Sequence, residues 1–449
     1  MRVMIIGAGA TGQSLAVTLC EMMHDVVLLD ISQPALEAVE SKVDILTYCG
    51  EGSSPVMLDE AGIDKTDMLL AVTNRDEVNI LACMYAHAAG VATKVARVVN
   101  VDYIAPSKWN WKAVGIDLLV SQNEECAHEV QDILRYPGAS DVVDMLGGKI
   151  LSLGIRIEQD SPLLEHSLAE LGGELEILSR ARFIAVLRDD KLLIPHGDTA
   201  LRVGDEAYVV THLADADALL TWALPSRPRI TRDIIAGGGG TGATLAKRME
   251  LDGHDVVLVE PDAERAEKVA DELIRTLVLK GDASKQEILA ECGIGPGASF
   301  TAATGDDELN IVSCVLAKKM GASWTVAHVG KSEYVPIIRH MKLLDRVVSP
   351  YSSMINVIMR FVRGRNVRAA TAFQFLSAEL LEMDLPGSSK WCGYSLRKLP
   401  LPDGAVVALV QRNGEVIIPG GDFVLQGSDR LAIFTELKCV DRVVAMFKK

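Results

Sequence analysis

The sequence is most telling first in what it lacks. No run of 18 apolar residues occurs, so nothing in it reads as a bilayer span. Basic residues are in deficit: 45 Lys and Arg face 61 Asp and Glu, a formal charge of -16, which argues against the clustered cations that nucleic-acid phosphates require. Proline is sparse at 16 of 449 residues and no low-complexity tract appears, so disorder is not expected. The eight cysteines form neither a CxxC nor a Cys/His cluster, which points to reduced core or half-buried thiols rather than metal ligands or disulfides. The opening Met1-Arg2-Val3-Met4-Ile5-Ile6 reads as a strand cut short by glycines, not as a signal peptide, so a cytosolic protein is expected. Catalytic signatures are also missing. There is no HExxH, no P-loop lysine and no Ser/His/Asp set, and of nine histidines only His24 and His254 recur, at a helix-to-strand turn.

What is present is a sequence written twice. "TGQSLAVTLCEMMHDVVLLD" at 11–30 and "TGATLAKRMELDGHDVVLVE" at 241–260 agree at nine of twenty positions. "AVTNRDEVNI" (71–80) answers "AATGDDELNI" (302–311), and "CGEGSSPVMLDEAGI" (49–63) answers "KGDASKQEILAECGI" (280–294). Farther on, "AVLRDDKLLIPHGD" answers "ALVQRNGEVIIPGGD", aligning Arg188 with Arg412, Pro195 with Pro419, Asp198 with Asp422 and Asp205 with Asp429. These four pairs read as turn and hairpin devices, or as a small-ligand or dimer surface.

Four domains follow from the repeat: 1–135, 136–221, 230–365 and 366–449, with the Pro-rich "WALPSRPRI" (222–230) as the joint. In 1–135, short apolar runs ("RVMIIG", "DVVLLD", "DILTYCG", "MLLAVT", "KVARVV", "DLLVSQ") alternate with helical segments such as 12–23 and 76–90. That alternation predicts an α/β fold with a doubly wound, Rossmann-like parallel sheet. The smaller domains carry short β-like runs with hairpin signals at "DDK" and "NG", predicting α+β units with antiparallel strands.

The chemistry lies in "IIGAGATG", where Gly7, Ala8, Gly9, Ala10, Thr11 and Gly12 join a strand to a helix. Gly7 permits the tight turn, Gly9 lets a pyrophosphate approach the backbone and Gly12 lets helix and sheet pack closely. Helix amides from Thr11 onward offer a positive dipole end to phosphates. Asp30, eighteen residues beyond Gly12 at the next strand's end, is placed to accept from ribose hydroxyls and to disfavour the extra phosphate of NADP. Gly237, Gly239, Gly240, Thr241, Gly242 and Glu260 repeat the pattern in a looser, glycine-richer form. In a doubly wound sheet ligands sit at the carboxyl ends of the strands, which adds Glu51 (within Gly50–Ser53), Thr73, Asn74 and Arg97, and in the second half Asp282 and Thr304. For Arg97 a solvated strand-end charge competes with a phosphate contact. Asp76 and Asn79 read as a helix N-terminal cap and a polar face.

Taken together, "IIGAGATG…VVLLD…AVTNRDEVN…ARV", "GGGGTG…VVLVE…GDAS…TGDDELN" and the "IPxGD" hairpin in both small domains closely resemble the bacterial TrkA family over essentially the whole chain. That family comprises cytosolic regulatory subunits of Trk-type potassium uptake, built from tandem RCK domains. The resemblance implies NAD(H) and adenine-nucleotide (ATP or ADP) binding at the residues above. It also implies a homo-oligomeric ring, commonly a tetramer, docked on the inner face of an integral membrane potassium transporter, without membrane insertion or nucleic-acid binding. Three positions depart from the family pattern. Glu51 stands for the usual Asp, Gly305 for the Asn of "TN", and His328 where Arg97 stands in the first half. The last two remove a polar contact and a permanent charge from the second pocket. An oxidoreductase using the first pocket catalytically is the alternative reading.

Overall fold

The computed structural model describes residues 1–104, 110–145, 148–164, 166–174, 176–189, 191–331, 333–341, 343–362, 369–372, 376 and 378–447. Its first domain contains β1 (Arg2–Ile6), β2 (Asp25–Asp30), β3 (Leu46–Cys49), β4 (Met68–Ala71), β5 (Thr93–Val98) and β6 (Leu118–Ser121). These form one parallel sheet in the order β3-β2-β1-β4-β5-β6. The central strands are near-continuous Val, Ile, Leu and Met because helices cover both faces: Val3 to Ile6 and Leu69 to Ala71 are all at most 1% exposed. The winding reverses between β1 and β4, which opens a crevice at their carboxyl ends.

The first small domain is antiparallel: β7 (Ala139–Met145), β8 (Ile150–Arg156), β9 (Ala181–Arg188), β10 (Lys191–Leu193) and β11 (Glu206–His212), ordered β10-β9-β11-β8-β7. The second parallel domain repeats the first with β12 (Arg232–Ala236), β13 (Val256–Glu260), β14 (Leu277–Lys280), β15 (Ala298–Ala302), β16 (Trp324–His328) and β17 (Arg346–Val348), ordered β14-β13-β12-β15-β16-β17. The second small domain has β18 (Ala369–Ala372), β19 (Ala378–Asp384), β20 (Ala405–Arg412), β21 (Glu415–Ile417) and β22 (Arg430–Glu436), with the strand order of its counterpart. The expected fold class is therefore the observed one.

Both hairpin signals fall between paired antiparallel strands. Lys191 pairs with Arg188 across Asp189 (φ +50°), and Glu415 with Arg412 across Asn413 (φ +53°) and Gly414 (φ +87°). Positive φ at both central positions of the second turn matches the twist of the flanking strands. Arg188 forks onto Asp205 (Nε–Oδ1 2.8 Å, Nη2–Oδ2 2.6 Å) and Arg412 onto Asp429 (2.7 and 2.8 Å). Asp198 and Asp422 lie exposed on the surface, and the Pro419 carbonyl accepts from Arg182 of the other small domain. Five cysteines are buried and two half-buried, but Cys49, at the end of edge strand β3, is exposed.

The halves exchange helices. Helix Gln122–Arg135 leaves the first sheet and packs Cys126, Ala127, Val130, Ile133 and Leu134 into a core with Ile235, Leu245, Ala246, Met249 and Leu258 of the second. Helix Pro350–Val362 returns the exchange, setting Met354, Ile358 and Met359 among Val3, Leu15, Ala16 and Leu19. The two small sheets also pack together, through Val143, Ile184 and Tyr208 on one side and Leu380, Leu409 and Phe434 on the other.

Candidate functional site

The first site begins where β1 ends. Gly7 takes φ +106° and lies so close to the fourth strand that an added Cβ would meet Thr73 N at 3.0 Å. Gly12 faces the Gly7 carbonyl, which a Cβ would meet at 1.7 Å, so helix Ala10–Glu21 starts close against the sheet. Gly9 is different: nothing lies within 4 Å of where its Cβ would stand, and Gly9 and Ala10 are exposed. The tight glycines set the turn, and the open one leaves its backbone facing solvent.

Asp30 closes the turn from β2. Its Oδ2 accepts from Ala8 N at 2.5 Å and its Oδ1 from Ser32 N at 2.8 Å, while the residue stays partly exposed. Each oxygen keeps acceptor capacity toward the crevice. Glu51 stands beyond β3, accepting from Ser53 Oγ at 3.3 Å and meeting Arg75 Nη1 at 3.5 Å. Thr73 and Asn74 follow β4; Asn74 is exposed, and Thr73 donates its Oγ1 to Asn79 Oδ1 at 2.7 Å.

Asn79 and Asp76 both differ from the sequence expectation. Asn79 lies not on a polar face but fully buried, and its Nδ2 donates to the carbonyls of Thr73 (3.0 Å) and Arg97 (2.9 Å). One carboxamide thus ties the ends of β4 and β5 together at the crevice. Asp76 is the first residue of helix Asp76–Ala88 rather than its cap, and its carboxylate accepts from Val99 N (2.8 Å) and Asn100 N (2.9 Å). The signal was available in the repeat, since Asp307 and Asn310 recur in register. Asn310 donates to Thr304 O at 3.1 Å and to His328 O at 2.9 Å.

Arg97 is half-buried rather than a fully solvated strand-end charge, and its Nε has no hydrogen-bond partner. Burial pulls its guanidinium below the usual range, against the opposing influence of Tyr351 and Asp76, yet arginine keeps its charge in any such setting. A cation therefore waits at the end of β5, and Tyr351 beside it belongs to the other half's helix.

The second site copies this scaffold with changed contents. Gly237 has φ +106° and Gly239 is as open as Gly9. Glu260 is only 2% exposed, its Oε2 accepting from Gly238 N at 2.7 Å and its Oε1 from Asp262 N at 3.0 Å, with Arg265 Nη1 at 3.5 Å. Asp282 is tied to Ser284, accepting from N at 2.9 Å and Oγ at 2.7 Å, and these bonds hold its carboxyl below the ordinary range. His328, opposite Arg97 in the repeat, is held toward its neutral form by burial, which outweighs nearby Asp307. Thr241 Oγ1 donates to Asn123 Oδ1 of the first half at 3.1 Å, whereas the corresponding Thr11 Oγ1 has no partner. Asn123 was absent from the sequence reading, because nothing local tells a helix which half it will cover.

Two other features lie apart from these turns. His254 Nδ1 stands 2.8 Å from Asp233 Oδ2 at the opposite, amino-terminal end of the sheet, and that hydrogen bond raises the imidazole's pKa. A cavity of about 380 Å³ lies between the first small domain, the joint and the second parallel domain. Arg156, Arg227, Lys318 and Arg346 there face Glu158, Asp160, Glu206 and Asp345, and none of the sequence-predicted site residues lines it.

The TrkA-N domain model matches residues 3–122 and 234–350, and the TrkA-C domain model matches 153–223 and 380–448. The Trk system potassium uptake protein TrkA of Halomonas elongata is 32% identical over 439 residues, 97% of this chain and 95% of that protein. The protein of the same name from Vibrio alginolyticus is 30% identical, covering 100% of this chain and 99% of its own length. Among solved structures, the GsuK channel bound to NAD superposes with a TM-score of 0.63 at 17% identity, over 99% of this chain and 79% of that one. The GsuK RCK domain gives a TM-score of 0.63 over 99% of this chain and 95% of its own, also at 17% identity, a likeness of fold. Matched twice by both domain models and alike end to end with proteins of that name, the chain belongs to the TrkA family.

Proposed function

We propose that this chain is the nucleotide-responsive regulatory subunit of a Trk-type potassium-uptake system. The observation carrying the proposal is the placement, at the carboxyl ends of β1, β2 and β5, of an open glycine turn, an Asp30 carboxylate braced on Ala8 N at 2.5 Å, and the half-buried cation of Arg97. In this reading the backbone from Gly7 to Gly12 receives the phosphates, where helix amides and the dipole favour anions. Asp30 takes the ribose hydroxyls, Arg97 meets phosphate charge, and Glu51, Thr73 and Asn74 flank the ligand. NAD(H) is the ligand class that best fits, with ATP and ADP sharing its adenosine-phosphate portion.

The relatives' names supply the potassium-uptake context. By that likeness the chain assembles as a homo-oligomeric ring, a tetramer, on the cytoplasmic face of a membrane-embedded transporter. The role is regulatory rather than catalytic. Hydride transfer needs a proton-transfer group beside the nicotinamide, and the sequence repeats the glycine turns without repeating such a group. A ligand shifts a two-state ring only through unequal affinity for its two shapes. Moving 1:99 to 99:1 takes about 5.5 kcal/mol, a preference that several sites per ring can share.

Calorimetric titration of the full chain with NADH tests the site. Asp30→Ala is expected to weaken binding at least about tenfold, the loss of one charge-assisted contact worth about 1.4 kcal/mol or more; unchanged affinity would overturn the assignment. Incubation with NADH and a panel of carbonyl compounds tests the role. Binding without continuing loss of NADH absorbance is expected, and sustained turnover would favour an oxidoreductase instead.

A further inference from the structure

The two glycine turns share a backbone but meet different neighbours. Above the second turn stands Asn123, the second residue of helix Gln122–Arg135 from the first half. Its carboxamide accepts from Thr241 Oγ1 at 3.1 Å, and a Cβ on Gly240 would come within 2.2 Å of its Nδ2. The first turn carries Ala10 where the second carries Gly240, so the extra glycine stands where the Asn123 amide rests. A polar ladder fixes the rest of the crossing. Arg248 meets Gln131 Oε1 at 2.8 Å and Glu124 Oε2 at 3.4 Å, while Gln131 and Arg135 both reach Asp252 Oδ2, at 2.8 and 2.6 Å.

The groups that would hold a nucleotide have meanwhile been withdrawn from this turn. Glu260 is turned inward against Gly238 and lies 2% exposed. Gly305 offers no side chain where Asn74 does, and a buried imidazole, which burial pushes toward its neutral form, replaces the guanidinium of Arg97. Resting on the reading of the first turn as a nucleotide site, we infer that the second glycine turn is a docking socket for Asn123 and not a second nucleotide pocket, so that each chain takes one dinucleotide. Arg97 pairs with Val120 and Val98 with Ser121, so the strand carrying the first pocket's cation lies beside the strand that delivers Asn123. The socket thereby fixes the second half to the ligand-bearing edge of the first.

Two measurements on the full chain test this. Titration with NADH should give one site per chain, with Glu260→Ala and the milder Glu260→Gln leaving affinity within about twofold, in contrast to Asp30→Ala. Two sites in the wild type, one of them lost in either Glu260 variant, would overturn the inference while leaving the first-pocket assignment standing. The second measurement needs no ligand, and so reads the socket even if NADH fails to bind. Gly240→Ala should lower the melting temperature by about 2–4 °C in the wild type, and should have no such effect in an Asn123→Ala background. An equal drop in both backgrounds, or none in the wild type, would overturn the socket.

Discussion

Asp205 and Asp429 are 2% and 1% exposed, and each is held by one arginine fork and one backbone amide, Arg202 N and Gln426 N respectively, both at 2.8 Å. The arginines are the wetter partners, with side chains 19% and 22% exposed. Removing the arginine strands a buried carboxylate, whereas removing the aspartate leaves a guanidinium that can turn to water. Arg188→Ala should therefore cost about 3 kcal/mol, near the lower end of what breaking a buried pair costs, and Asp205→Ala less. The reverse order in urea unfolding would show that losing the aspartate, not the arginine, leaves the uncompensated charge. At this scale much could be read from the sequence. Arg188 and Asp205, like Gly7 and Gly12, recur at fixed spacing because each satisfies a local geometric demand, and the acid at Asp30 recurs as Glu260. Asn79 also recurs, but its task is to bridge two strand ends through the interior, and a polar residue on an amphipathic helix looks the same from sequence whether it faces water or a buried carbonyl.

The elements with the most consequence are the two exchanged helices. Met354, Ile358 and Met359 belong by sequence to the second half but fill the core around β1 and helix Ala10–Glu21. Ile358 is fully buried, so Ile358→Ala should cost about 2–5 kcal/mol, with the range set by how far the cavity relaxes. The damage should appear in the first half: hydrogen exchange should quicken at amides of Ala10–Glu21. Faster exchange confined to 230–362 would contradict the packing. Sequence patterning identified strands and helices within each domain because parallel strands buried on both faces read as continuous apolar runs and the helices have a helical period. It did not identify the exchange, since an apolar stripe on Gln122–Arg135 states that a face is buried and not which sheet buries it. The same limit hid Asn123.

At the scale of the whole molecule, charge and fold bear on the proposed attachment to a membrane-embedded partner. No helix among the described residues is long and apolar enough to cross one. A formal charge of -16 repels anionic headgroups, so attachment to the membrane should require the transporter. The purified chain is expected to stay in the supernatant when vesicles containing phosphatidylserine are sedimented, at low salt where any attraction would be greatest; co-sedimentation would point to direct lipid contact. The helix exchange has a wider consequence. Two separate identical subunits embracing in this way would share one gene, and every substitution would strike both sockets at once. With both copies on one chain, joined through 222–230, each can be edited alone. On the proposed reading, one copy stays a receptor while the other serves as its mount, a division of labour that symmetry would have forbidden.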